Sequence, residues 1–97
     1  MTGYTEKVEN LINRINKDMT TFENFSIVFG GTTQEQKEMY KGLCMVRRCL
    51  AMSTNKLHFN KLFIEESGSA GITAMTVYFA RSYCSNNGFE ILNIEKL

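Results

Sequence analysis

Val8, Leu11, Ile12, Ile15 and Met19 recur at intervals of three and four, with Glu6, Lys7, Glu9, Asn10, Asn13, Arg14, Asn16 and Lys17 between them. That is the helical period, and it predicts an amphipathic helix over residues 5 to 19 with Thr5 as its N-cap and Glu6 in the first turn. Phe25-Ser-Ile-Val-Phe29 alternates instead. The alternation predicts a strand, which Gly30-Gly31 closes. Thr32 and Glu35 stand at the spacing of a capping box, where hydroxyl and carboxylate each satisfy an amide of the helix start. The stripe Met39, Leu43, Val46 and Leu50 then predicts a second helix to about Met52, with Tyr40, Cys44 and Ala51 beside it.

Between Leu57 and Glu65 the apolar residues Leu57, Phe59, Leu62, Phe63 and Ile64 alternate with one slip. A strand bulged near Asn60-Lys61 accounts for that slip. Ser67-Gly-Ser-Ala-Gly71 is a turn, and Ile72, Met75, Phe79 and Tyr83 form a third helical stripe that Ala70, Ala74, Val77 and Ala80 widen. Asn86-Asn87-Gly88 stops this helix, and Phe89 to Glu95 alternates as a last strand. The predicted order is α-β-α-β-α-β. It implies an α/β or α+β class: one small two-layer domain with a three-stranded sheet packed by helices, its strand-helix-strand units joined by right-handed crossovers. Because the strands are not continuous Val/Ile runs, one face of the sheet is expected to stay open or to be covered by a partner.

Ninety-seven residues, 43% of them hydrophobic and 22% charged, give one ordered domain over residues 1–97. The net charge of +1 supplies no general field toward nucleic acid or anionic lipid, so neither is expected as a partner. Met1-Thr-Gly-Tyr-Thr-Glu-Lys-Val lacks the basic start and apolar run of a secretory signal. The weakly charged stretch from Ser67 to Phe89 holds a helix shorter than the ~20 apolar residues of a membrane span. A cytoplasmic protein is expected. Cys44, Cys49 and Cys84 form no C-x-x-C pair and, with the single His58, no metal-ligand spacing, so reduced thiols, no metal and no cofactor are expected. The absence of proline, with many Asn, Lys, Ile, Phe and Met, points to an AT-rich coding sequence of the kind common in phages and low-GC bacteria.

Two turns carry candidate chemistry. Gly30, Gly31, Thr32 and Thr33, and again Ser67, Gly68, Ser69 and Gly71, would set free amides and hydroxyls at a helix start, an arrangement that holds phosphate or carboxylate. Neither is a P-loop or a dinucleotide fingerprint, and a glycine turn followed by an ordinary cap is the plainer reading. Nucleophilic catalysis would need a cysteine to meet His58. Glu65 and Glu66, adjacent on a strand, would face opposite ways and form no carboxylate pair. Lys37, Lys41, Arg47 and Arg48 make a basic helix face on which Glu35 and Glu38 intrude. Arg81 is the one charge between Ser67 and Phe89, and with Tyr78 it marks the part of the third helix that a sheet would leave uncovered.

From Lys61 to Ile94 the succession of strand, Gly68-Ser-Ala-Gly71 turn, helix with Thr73-Ala-Met75, and Asn87-Gly-Phe89 before a strand resembles the coenzyme-A-binding half of the GNAT acetyltransferases. The resemblance covers about a third of the chain and implies an acyl-CoA-binding protein. Where that family carries Gln or Arg in the loop, this chain has Glu65, Glu66 and Ser67, and no catalytic residue is implied.

These features lead to the expectation of a small non-enzymatic interaction protein of the kind phages and mobile elements use to inhibit a host protein or to act as an immunity partner. Its protein contact or homodimer interface would include Tyr78 and Arg81. The alternative expectation is a binder of a small anionic ligand, such as a nucleotide, at the two glycine turns.

Overall fold

The first helix runs far beyond the stripe that announces it. In the computed structural model, which describes residues 3–31 and 33–91 and only the backbone of residues 27–29, α1 spans Tyr4–Phe29. Val8, Leu11, Ile15 and Met19 form its buried face. Gly30 ends it in the left-handed region at φ 75°, and the amides of Gly30 and Gly31 both donate to the Ser26 carbonyl. The strand expected at Phe25–Phe29 is therefore the last turns of α1. A five-residue apolar run cannot be told from a helix by alternation alone, and here it continues a helix already nucleated.

α2 spans Gln34–Met52. Its capping box lies one residue later than the sequence spacing indicated: Thr33 accepts from the Gln36 amide at 3.1 Å, and the Thr33 amide donates to the Gln36 side chain at 2.9 Å. Thr32 lies outside the described residues. Gly42, Met45, Val46, Cys49 and Leu50 make α2 the central helix, and each of the other three packs against it.

The segment read as a bulged strand is α3, Lys56–Ser67. Asn55 caps it by accepting from the His58 amide at 2.9 Å, and the slip at Asn60-Lys61 is helical spacing, since Phe59 and Phe63 stand one turn apart and are both fully buried. α4 spans Ala74–Asn86, with Thr73 as N-cap and Thr76, Ala80 and Cys84 buried. The chain then folds back. The Phe89 amide donates to the Cys84 carbonyl at 2.8 Å, and the Phe89 ring stands edge-on to Phe59 at 5.0 Å. Phe89 to Ile91 form no strand, and the rest of the last expected strand, residues 92–97, lies outside the described residues.

The fold is thus four helices with no strand among the described residues, which overturns the α/β domain and its three-stranded sheet. The likeness to an acetyltransferase half falls with it, because the strand that should lead into the Gly68 turn is α3. One apolar cluster joins the four helices through Ile15, Met45, Val46, Leu50, Phe59, Phe63 and Ala80. No described helix is long and apolar enough to cross a membrane.

Candidate functional site: the cleft between α1 and α4

α1 and α4 both lie on α2 yet pack closely against it rather than against each other. α4 runs antiparallel to α1. Tyr83 on α4 donates to Asp18 on α1 at 2.7 Å, while further along α4 the Asn87–Phe89 turn reaches Leu11 and Lys7. Arg14, one turn before Asp18, also donates to its carboxylate at 3.4 Å. Burial pushes the Tyr83 phenol well above its usual value, and donation to Asp18 pushes it further. The hydroxyl keeps its proton and the bridge persists at any physiological pH.

This bridge divides the seam into two hollows of opposite character. On one side Phe22 of α1, Met39, Tyr40 and Leu43 of α2, and Phe79 and Ser82 of α4 enclose an apolar groove of about 300 Å³. Large apolar side chains continue onto the protein surface around it: Phe25 is 43% exposed, Met39 42%, Met75 46% and Tyr78 65%. The ring of Tyr78 stands edge-on to that of Phe79 at 5.6 Å. On the other side Lys7, Asn10 and Arg14 face Asn87 and Gly88 across a hollow of about 350 Å³ floored by Leu11 and Phe89.

The glycine turns have a different geometry from the one expected of anion sites. At the first, Gly30 and Gly31 satisfy the end of α1, and the Thr33 amide is held by its own capping box. At the second, the Gly68 and Ser69 amides donate to Glu65 and Glu66 carbonyls, and the Ser67 hydroxyl to Phe63 at 2.7 Å. Ser67 to Ser69 therefore sit at the C-terminus of α3, the negative end of a helix, which disfavours anions. Gly71, at φ 85°, turns the chain toward the Thr73 cap.

The anion at a helix start belongs to the protein itself. Glu38 is buried on α2, and its carboxylate accepts from the hydroxyls of Thr73, at 2.9 Å, and Thr76, the cap and first turn of α4, and from Gln34 at 2.8 Å. Sequence reasoning placed Glu38 on the basic helix face of Lys37, Lys41, Arg47 and Arg48. Only its position four residues before Gly42 on the buried stripe hinted otherwise. The Thr76 hydroxyl first, and then that of Thr73, hold the carboxyl below its ordinary value of 4.5. A depressed folded-state value contributes stability above the unfolded one and loses it as pH falls through the folded one. Thermal midpoints should thus drop as pH falls below the ordinary carboxyl value of 4.5, and Glu38→Gln should lower the neutral-pH midpoint while flattening this acid limb. An unchanged acid limb in the variant would show that other carboxylates set it.

The remaining candidates resolve into structural roles. Cys49 and Cys84 are buried, and loss of solvent pushes their thiols up to about 11 and about 12, far from nucleophilic at neutral pH. His58 Nδ1 accepts from the Thr54 amide at 3.1 Å at the start of α3. Of the basic helix face, Arg47 donates to Asn16 at 2.9 Å and Arg48 pairs with Glu66 at 3.3 Å. Arg81 lies on the α3 side of α4, its guanidinium 5.4 Å from the Phe63 ring centroid, and Tyr78, one turn earlier and 65% exposed, stands beside the Phe79 ring. The groove residues from α1 and α2 escaped sequence reasoning because helical spacing alone does not say which edge of a stripe a neighbour will cover.

Comparison with protein-family models, with curated proteins and with solved structures gives no significant match, so the function is argued from geometry.

Proposed function

We propose that the chain is a non-enzymatic interaction protein that takes a helical segment of another protein into the apolar groove between α1 and α4. The observation that carries this reading is the continuity of Phe22, Leu43 and Phe79 in the groove with the exposed Met39, Met75 and Tyr78 around it. Aromatic and Met side chains are the types enriched at binding surfaces, and a helix laid into such a groove is a recurrent recognition mode. The surface is centred on the groove side of α4 rather than on Arg81, whose stem and charge cover Phe63. The small-anion reading has less support, since the amides of Gly30, Gly31, Thr33, Gly68 and Ser69 are engaged within the chain.

Selection of a displayed library of amphipathic helical peptides against the intact chain tests the proposal. Peptides with an apolar stripe should bind, and Met39→Glu should weaken them about tenfold or more. Met39 is partly exposed, so helical circular dichroism should be unchanged. Binding indifferent to Met39→Glu would remove the groove as the site.

A further inference from the structure

The seam does not end at the apolar groove. Beyond the Tyr83–Asp18 bridge that closes the groove, it continues as the separate hollow of Lys7, Asn10 and Arg14, whose described lining contains two cations and no carboxylate. Lys56 adds a third positive group nearby, its ammonium 3.7 Å from the centroid of the Phe89 ring that floors this hollow. Burial lowers the pKa of Lys56, and repulsion from Lys7 contributes, so the two ammonium groups are close enough to oppose each other. Of the carboxylates on α1, Asp18 is held by both Arg14 and Tyr83, and Glu6 and Glu9 do not line the hollow. Glu90, outside that lining, also acts electrostatically on Lys56 and opposes the effect of Lys7. Lys7 has no ion-pair partner at contact distance among the described residues.

From Lys7 to Phe22 along α1 is fifteen residues, roughly 22 Å at about 1.5 Å per residue. The seam therefore matches about four turns of helix, apolar at one end and cationic at the other.

We infer that the partner segment is an acidic amphipathic helix, seated with its apolar anchors between Phe22, Leu43 and Phe79 and its carboxylates against Lys7 and Arg14. This rests on the groove reading above and specifies its occupant. Apolar burial supplies affinity at one end. At the other, complementary charge sets orientation and association rate, because a helix docked in reverse would bring its carboxylates over Phe79 and leave Lys7 without counter-charge and Arg14 with Asp18 alone.

The test uses a peptide selected on the intact chain, a version with Gln replacing its Glu and Asp residues, and the variants Met39→Glu and Lys7→Gln/Arg14→Gln. Selected peptides should carry Asp or Glu three or four turns from their apolar anchors. Neutralising either the peptide or Lys7 and Arg14 should weaken binding about tenfold, and neutralising both should cost little more than either alone. Binding should also weaken with added salt in the wild type and much less in the doubly neutralised pair. Binding that requires Met39 but ignores Lys7→Gln/Arg14→Gln and salt overturns the acidic partner while leaving the groove in place. Failure of Met39→Glu to matter removes both. Concentration-dependent self-association abolished by Met39→Glu, with no peptide selected, identifies a second copy as the occupant and overturns the inference. So does inorganic phosphate binding at Lys7 and Arg14 with no peptide bound.

Discussion

Phe59→Ala is expected to remove a third or more of the protein's stability. Phe59 is fully buried, stands edge-on to Phe89 at 5.0 Å and lies 6.1 Å from Phe63, so it joins α3 to the chain after α4. Truncating a buried Phe costs about 3–5 kcal/mol through lost transfer free energy and the cavity left behind. Domains of this size have only about 5–15 kcal/mol in all. Phe89, on which Tyr4 at 6.1 Å and the Lys56 ammonium rest, would lose the ring it packs against. Urea titration followed by circular dichroism should show a midpoint cut by a third or more with the slope kept. A loss below about 1 kcal/mol would mean that α3 is not docked on this core.

Gly42→Val should be nearly as damaging for a different reason. A Cβ at residue 42 would stand 3.1 Å from the Thr76 carbonyl oxygen and 3.2 Å from the Ala80 amide nitrogen, both backbone atoms of α4 that cannot rotate aside. Glycine in a helix interior ordinarily costs about 1 kcal/mol against Ala, so its presence in α2 is explained by this close crossing. The valine methyls would force α2 and α4 apart at Thr76, whose hydroxyl donates to Glu38. Overpacking costs about 1–3 kcal/mol, and with the Glu38 network disturbed the upper part of that range is expected, a fall of roughly 10–20 °C in midpoint. Gly42→Ala should fall between the two, clash and helix propensity opposing each other. A valine variant as stable as the wild type would show that α4 does not cross α2 at this glycine.

Helix positions were legible where the sequence was long and regular. The stripe Val8 to Met19, the stripe Met39 to Leu50 and the Asn86-Asn87-Gly88 stop each correspond to a described element, because three or four turns of spacing leave one period available. The sheet was misread from short segments. Phe25 to Phe29 is five residues and Leu57 to Glu65 nine, and within them Phe25, Val28 and Phe29, or Phe59, Leu62 and Phe63, stand at i, i+3 and i+4, so the same short runs also fit the helical period. Asn55 ahead of Lys56 was the local signal that favours helix, since Asn side chains cap helix starts. The candidate site was half legible. Tyr78 was marked as uncovered, but the rest of the groove depends on α1 and α4 lying side by side on α2, which no single segment encodes. Glu38 was hidden for the same reason: Thr73 and Thr76, its hydroxyl partners, are 35 and 38 residues away.

The most direct measurement is a backbone amide shift map of the isotopically labelled chain titrated with a selected acidic amphipathic peptide. Perturbations are expected along one seam, at Lys7, Arg14, Asp18 and Phe22 of α1, Met39 and Leu43 of α2, and Phe79 and Tyr83 of α4. Changes centred instead on Gly30 to Thr33, on Ser67 to Gly71 or on the Arg81–Phe63 side of α4 would contradict the assignment of the α1–α4 cleft as the binding surface.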